Sequence, residues 1–383
     1  MRKTLSTTSL VLAIMLSSAC VYNKAAQKQA EPVNQQDAFK AREMKETVDY
    51  TMGSLELADP ASNQKRTAMV SVSYATDRDT VSNAKGSKEY GSLRNPSNAL
   101  EYGKAVVSIP VDHTFGELER PIFWFLENAE KHFVILSVSS TSYEAFERTL
   151  KNSTNEDCLV YIHGLNNDFK EGILRSAQLK VDLQFPGEVV LYSWPVKKNY
   201  IEAGENINWT LPHLREFLLN LTKIRKKKNI YIIAHSMGTK ALGETLLSLS
   251  QKNFSKFKSI VLAAPDIDSD IFKHQIAPAM KTYTENLTMY ASKDDLALET
   301  SSEVNRYSRA GFTEGGITVV DGVETIDASP LKESFLSLGH SYFANDDKVL
   351  NDLKEKITNK KPPEKRLLTK RNQKGLVFWE IKP

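Results

Sequence analysis

Apolar and polar positions alternate along this chain with two different periods. Runs rich in β-branched residues at 69–75, 105–111 and 133–139 show strand-like alternation, and the Gly, Asn and Ser stretches between them read as loops. A regular succession follows. Strands are predicted over 159–162, 189–192, 230–233, 259–263 and 287–291, and helices with one apolar face over 170–184, 211–226 and 269–279. The strands are short and almost wholly apolar, the pattern of parallel strands covered on both faces. Residues 317–326 predict a last strand or a hairpin around Asp321-Gly322, and 346–357 a closing helix. Short strands alternating with amphipathic helices define one α/β domain over 67–358, with a mostly parallel central sheet and helices on both of its faces. Two stretches, 195–209 and 299–316, carry no such period. They read as irregular segments beyond strand ends, where an open parallel sheet binds its ligands.

The ends of the chain differ from its middle. Arg2 and Lys3 precede an apolar run at 10–16 and the small residues Ser17, Ser18 and Ala19, which together predict an export signal over 1–20. The run is too short to span a bilayer. Ser-Ala-Cys at its end resembles a lipobox, which makes Cys20 the expected lipidation site. Val21 in place of an aspartate favours the outer membrane, on its periplasmic side. Residues 21–66 are rich in Gln, Lys, Ala and Asn and read as a polar tether, with a short helix near 37–47. Residues 359–383 read as a basic, solvated tail ending in a short strand. A formal net charge of +3 over 383 residues is close to balance and points away from nucleic acid. The two cysteines, Cys20 and Cys158, lie in unlike settings and are not expected to pair.

The chemistry concentrates after the strand at 230–233. There Ala234-His235-Ser236-Met237-Gly238 leads into the helix-forming run TKALGETLLSL. A serine flanked at two residues' distance by small residues suits a sharp strand-to-helix turn that exposes its hydroxyl; Ala234 stands where glycine is usual. A serine nucleophile needs a base, and the base needs a carboxylate to fix its tautomer. In such a sheet the order is serine, acid, histidine, so the base is His274 or His340. His274 falls inside a predicted helix between Lys273 and Gln275 and reads as a solvated residue, whereas His340 in LGHSYF follows the last strand, with Gly339 permitting close approach. Asp295, beyond the strand at 287–291, is the expected acid; Asp294 beside it and Asp266 in AAPDID are alternatives, and Asp268 suits a helix cap. The backbone N–H groups of Met237 and Leu165 are the expected oxyanion donors. The second lies in the loop His163-Gly164-Leu165-Asn166-Asn167, where Gly164 lets the chain turn inward. His163 and His235 are expected to be structural. No ligand spacing suggests a metal and no glycine-rich phosphate loop follows a strand, so no cofactor is expected.

Taken in order, YATDR (74–78), HGLNNDF (163–169), RSAQ (175–178), YSWP (192–195), AHSMG (234–238), APDID, DLAL (295–298), RAG (309–311), ETIDAS and LGHSYF resemble the α/β-hydrolase superfamily. More closely they resemble an uncharacterised bacterial branch catalogued as a domain of unknown function. The resemblance runs from about residue 70 to 353 and implies a serine hydrolase with Ser236, Asp295 and His340 as its triad. It implies no substrate. The expectation is a lipid-anchored hydrolase of carboxylic esters, acting on a small-molecule or lipid ester through an acyl-enzyme. An acyltransferase with the same triad and a non-catalytic envelope scaffold are the alternatives.

Overall fold

The strand that leads to Ser236 lies in the middle of the sheet. In the computed structural model, residues 67–82, 88–121, 126–196, 199–225, 229–249, 256–331 and 340–382 are described. Cys20, the export signal, the tether with its short helix, and Gly339 lie outside them. In chain order the elements are β1 (Ala68–Thr76), β2 (Arg78–Ser82), β3 (Lys88–Arg94), β4 (Glu101–Ile109) and β5 (Val134–Thr141). Next come α1 (Tyr143–Asn152), β6 (Asp157–Ile162), α2 (Phe169–Asp182), β7 (Glu188–Ser193), α3 (Tyr200–Ile224), β8 (Asn229–His235) and α4 (Met237–Leu247). β9 (Ser259–Ala263) precedes the successive helical pieces Ser269–Ile271, Phe272–Ile276 and Ala277–Tyr283, the middle one a π turn; together they are α5. The chain closes with β10 (Leu287–Ala291), α6 (Leu296–Asn305), β11 (Glu324–Asp327), α7 (Tyr342–Asn345), α8 (Asp347–Ile357), β12 (Leu368–Gln373) and β13 (Leu376–Ile381).

Eleven strands form one sheet in the order β12-β13-β11-β10-β9-β8-β6-β7-β1-β4-β5, and β2 with β3 forms a separate hairpin. All pairs from β13 to β1 are parallel, while β12 and the β4–β5 flank are antiparallel. β6, β9 and β10 are buried at every position, which is why their sequences are mostly apolar rather than alternating, with only Asp157, Ser259 and Thr288 polar. Successive side chains still point to opposite faces. Leu159, Tyr161, Tyr231 and Ile233 pack with Ile173 and Ala177 of α2 and Leu353 of α8. Cys158, Val160, Ile230 and Ile232 pack with Leu214 and Phe217 of α3, Leu242 of α4 and Met280 of α5.

Three expectations are corrected. Residues 200–209 are not irregular: α3 begins at Tyr200, where Asn199 Oδ1 accepts from Ile201 N and Glu202 N, and it runs through Pro212. A proline inside a helix costs about 3 kcal/mol. Ala203, Ile207, Leu214, Leu218 and Leu221, all fully buried, keep one apolar stripe in line across it. Burying a single leucine is worth about 1.5–3 kcal/mol, so the stripe outweighs the break. Residues 296–305 are likewise helical, capped by Asp295, and only 306–316 of the second segment are irregular. The span 317–326 forms no hairpin: a turn from Val320 to Val323, with Gly322 at φ 72°, delivers the chain into β11, which pairs in parallel with β10.

The basic tail is also part of the sheet. β12 and β13 are joined by Lys374-Gly375, both at positive φ, a two-residue connection suited to the strand twist. β13 extends the parallel sheet beside β11. Ahead of it, the Arg366 side chain is fully buried and donates to Asp352 Oδ2 at 3.2 Å and Glu324 Oε1 at 2.5 Å. Tyr290 donates to the same Asp352 oxygen at 2.6 Å, and Lys356 to Glu324 at 3.1 Å. Burial raises the Asp352 carboxyl above its usual range, while Lys356 and Arg366 hold Glu324 below it. Removing Arg366 leaves the buried Asp352 carboxylate without a cation and Glu324 with Lys356 alone. We predict that Arg366→Met lowers unfolding free energy by about 3–5 kcal/mol. Arg371→Ala, at a largely exposed pair with Glu380, should change it by less than about 1 kcal/mol. Urea unfolding of both variants checks this, and equal midpoints would contradict it.

Candidate active site

Ser236 sits between the last residue of β8 and the first of α4, at φ 52° and ψ −127°. A non-glycine residue in this region costs about 1–3 kcal/mol, and close contacts on every side hold it there. Its N–H donates to the Ala263 carbonyl at 3.0 Å, and its carbonyl accepts from Thr239 N at 3.0 Å. The neighbours have to be small. A Cβ on Gly238 would lie 2.4 Å from the His163 carbonyl oxygen, and one on Gly164 would lie 2.6 Å from Ser236 Cβ. The turn at Ser236 and the loop after β6 are therefore in direct backbone contact.

From the serine a continuous hydrogen-bonded chain runs inward. Ser236 Oγ is 2.7 Å from His340 Nε2, and His340 Nδ1 is 2.9 Å from both oxygens of Asp295. The carboxylate can only accept, so it fixes the proton on Nδ1 and leaves Nε2 to accept from the serine hydroxyl. The Asp295 side chain is wholly buried and that of His340 is 18% exposed, so the dyad is shielded while its outer edge reaches solvent. Asp295 also accepts from Leu298 N at 3.0 Å and thereby caps α6. Its structural use as a cap and its contact with the imidazole coincide in one side chain.

The alternative acids are engaged elsewhere. Asp294 is exposed, with its N–H on Ser292 Oγ in a turn. Asp266 is buried, accepts from Ser301 Oγ at 2.6 Å and lies 3.4 Å from Arg309 Nε. Asp268 caps α5, as its position suggests. His274 lies within the π turn of α5.

Backbone contacts hold the imidazole in place. His235 Nε2 donates to the His340 carbonyl at 2.9 Å, and the His235 ring lies 4.7 Å from that of His340 and 4.6 Å from Phe343. Burial and the neighbouring His340 push the His235 pKa well down, so it stays neutral. Two residues of the RSAQ stretch grip the chain beyond His340: Gln178 donates to the Ala344 carbonyl at 2.8 Å, and Arg175 to Asn345 Oδ1 at 2.8 Å. The sequence singled these two out without giving them a role.

Met237 is the first residue of α4, where a helix has no acceptor of its own for the N–H. Leu165 lies one peptide beyond Gly164. The loop carrying it is pinned from below by Arg78, to which the sequence gave no role, and by Trp194. Arg78 Nη2 and Trp194 N both donate to His163 Nε2, at 3.1 and 3.2 Å, and Trp194 Nε1 donates to the His163 carbonyl at 2.8 Å. Burial and Arg78 lower the His163 pKa to about 3. Among the described residues no group of three or more His, Cys, Asp or Glu side chains could hold a metal ion.

A mostly parallel sheet whose central strand turns sharply through a serine into a helix defines an α/β hydrolase. The model of the family described as alpha/beta hydrolase of unknown function (DUF900) matches residues 139–359, more than half of the chain, and the chain belongs to that family. No curated protein matches it. Among solved structures it is similar to an uncharacterised protein of Bacillus cereus, at 12% identity and a TM-score of 0.35, over 54% of this chain and 61% of that one. The chain thus spans less than two thirds of that protein's length. It is also similar to an esterase of Pyrococcus furiosus (11%, TM-score 0.33, covering 54% and 82%) and one of Pyrobaculum calidifontis (11%, 0.34, covering 74% and 85%).

Two predictions follow from the double use of Asp295 and from the neutral histidines. Asp295→Asn keeps a capping side chain and should leave the thermal midpoint within a few degrees. Asp295→Ala should lose about 1 kcal/mol through the cap alone; equal stability of the two variants would remove the capping role. The pKa values of His163 and His235 lie below the unfolded value of about 6.5. Below that pH the unfolded chain binds protons that the folded one refuses. The stability these groups give is present above pH 6.5 and declines as pH falls toward 3, by up to about 1.4 kcal/mol per unit for each. His113 and His213, raised by carboxylate neighbours, act in the opposite sense with smaller shifts. Net stability should therefore fall between about pH 6 and 4, and a flat profile in urea titrations would contradict this.

Proposed function

We propose that this protein is a serine hydrolase that cleaves carboxylic esters through an acyl-enzyme. The observation that supports this reading is the hydrogen-bonded chain from Ser236 Oγ through His340 to a fully buried Asp295, with the serine held at positive φ at the end of a central strand.

On this reading Ser236 Oγ attacks the ester carbonyl while His340 Nε2 takes its proton. Asp295 stabilises the imidazolium without becoming protonated. Negative charge on the former carbonyl oxygen is met by the N–H groups of Met237 and Leu165, which are fixed before the reaction and need no reorganisation. The imidazolium then gives its proton to the departing alkoxide, and the alcohol leaves. Water enters, His340 removes its proton, and the resulting hydroxide equivalent attacks the acyl-enzyme. Collapse releases the carboxylic acid and restores the serine hydroxyl.

Ser236→Ala should lower turnover of short p-nitrophenyl esters by about 10⁵- to 10⁶-fold with little change in stability. Wild type, but not the variant, should react covalently with a fluorophosphonate probe. A folded Ser236→Ala protein that hydrolyses these esters at the wild-type rate would refute the mechanism, and a wild type that neither labels nor turns over would refute the enzyme.

A further inference from the structure

Arg78 is a buried cation whose charge the triad does not use. It is the first residue of β2, two residues beyond β1, with no exposed surface, and its side-chain hydrogen bonds all go to neutral acceptors. Nε donates to Ser193 Oγ at 2.7 Å and Nη1 to the Gly91 carbonyl at 3.0 Å. Nη2 donates to His163 Nε2 at 3.1 Å and to the Asn167 carbonyl at 2.8 Å. Burial draws its pKa down to about 10, with the charges of Asp168, Asp77 and Asp79 opposing the shift. A guanidinium buried without a hydrogen-bonded carboxylate is costly. Neutral donors could tie the same loops together at lower cost.

The geometry around His163 shows where the charge can act. Nε2 receives two N–H donors, from Arg78 and from the Trp194 backbone, so it carries no proton. The proton is on Nδ1, which donates to the Gly164 carbonyl at 2.9 Å. In a trans peptide the C=O and N–H point in opposite directions. With the Gly164 carbonyl drawn to the imidazole, the Leu165 N–H of the same peptide points away from it. Gly164 itself lies against Ser236, so closely that a Cβ at 164 would fall 2.6 Å from Ser236 Cβ. The next carbonyl, that of Leu165, is held by Asn167 Nδ2 at 3.0 Å, and Asn167 in turn by Arg78.

We infer that Arg78, His163 and the Gly164–Leu165 peptide form an electrostatic relay that orients and polarises the Leu165 N–H as an oxyanion donor. The inference rests on the serine-hydrolase reading above and adds a second charge to it. Hydrogen bonds in series polarise one another. The guanidinium draws density from Nε2, Nδ1–H becomes a stronger donor to the Gly164 carbonyl, and the Leu165 N–H becomes a stronger donor to whatever it faces. No proton moves along this path. Arg78 is a positioning residue that touches neither substrate nor nucleophile.

The test pairs an oxygen ester with its thionoester, because sulfur accepts hydrogen bonds poorly and a weakened oxyanion donor penalises the oxygen substrate more. In folded Arg78→Gln, kcat for the ester should fall about tenfold or more, with KM nearly unchanged. The ester-to-thionoester rate ratio should shrink by a similar factor. Arg78→Lys, which restores a charge without the fork, should recover part of both. An unchanged kcat, or a fall in kcat with an unchanged ratio, overturns the relay. Should Arg78→Gln fail to fold, ¹⁵N-histidine NMR of the wild type decides. His163 must be protonated at Nδ1 only, and must stay so well below pH 6; a proton on Nε2, or titration near pH 6.5, overturns the proposal. Absence of ester turnover in the wild type would count against the hydrolase reading instead, and the NMR result would still decide the relay's ground state.

Discussion

The backbone crossing of Gly164 over Ser236 is the constraint on which the rest of the site depends. Two chain segments leaving adjacent parallel strands, β6 and β8, approach until no side-chain carbon fits between them. That approach forces the serine into a conformation its side chain disfavours, and it requires glycine at 164 and 238. It also sets Gly164 directly against the Ser236 side chain. A substitution at either glycine would have to move the end of a strand, and the strands are locked in register by neighbours on both sides.

Around this crossing two imidazoles are arranged in opposite electrostatic senses. His340 has a carboxylate behind it and a hydroxyl in front. His163 has a guanidinium behind it and a peptide carbonyl in front. In each case the buried charge sets the tautomer, and the tautomer sets what the far nitrogen can do. Asp295 leaves His340 Nε2 free to accept; Arg78 compels His163 Nδ1 to donate. On the hydrolase reading, one side of the site prepares an alkoxide and the other prepares to receive its negative charge. A third imidazole, His235, carries no charge and holds the His340 backbone.

The periphery shows the same use of buried charge for a different end. Arg366 with Asp352 and Glu324 fastens the C-terminal hairpin to α8 and β11, and Asp77 with His213 and Thr210 fastens the β1 end to α3. Such groups seldom add net stability over well-packed apolar ones. They do accept only one arrangement of neighbours, which suits a sheet whose edges must be placed relative to a central site.

The apolar runs of β6, β8, β9 and β10 are legible without a structure, because a strand covered on both faces carries an almost unbroken apolar run instead of an alternation. So is Ser236, since its small neighbours at 234 and 238 are local in the chain. His340 and Asp295 could be named from chain order, although nothing local distinguishes Asp295 from Asp294; only the packing of α6 turns one inward and leaves the other in solvent. The first half of α3 ahead of Pro212, helix α6, and the pairing of the tail as a β12–β13 hairpin were not legible. Each breaks a local preference that burial against distant elements overrides. Arg78 was hidden for the same reason in its strongest form. A charged side chain has no sequence pattern that marks it as buried, because its acceptors come from β3, the end of β7 and the loop after β6. The amino-acid order thus determined the sheet, the turn and the candidate nucleophile, which depend on neighbours along the chain. Tertiary structure alone decided which charges face which rings, because that depends on neighbours brought together only when the strands align.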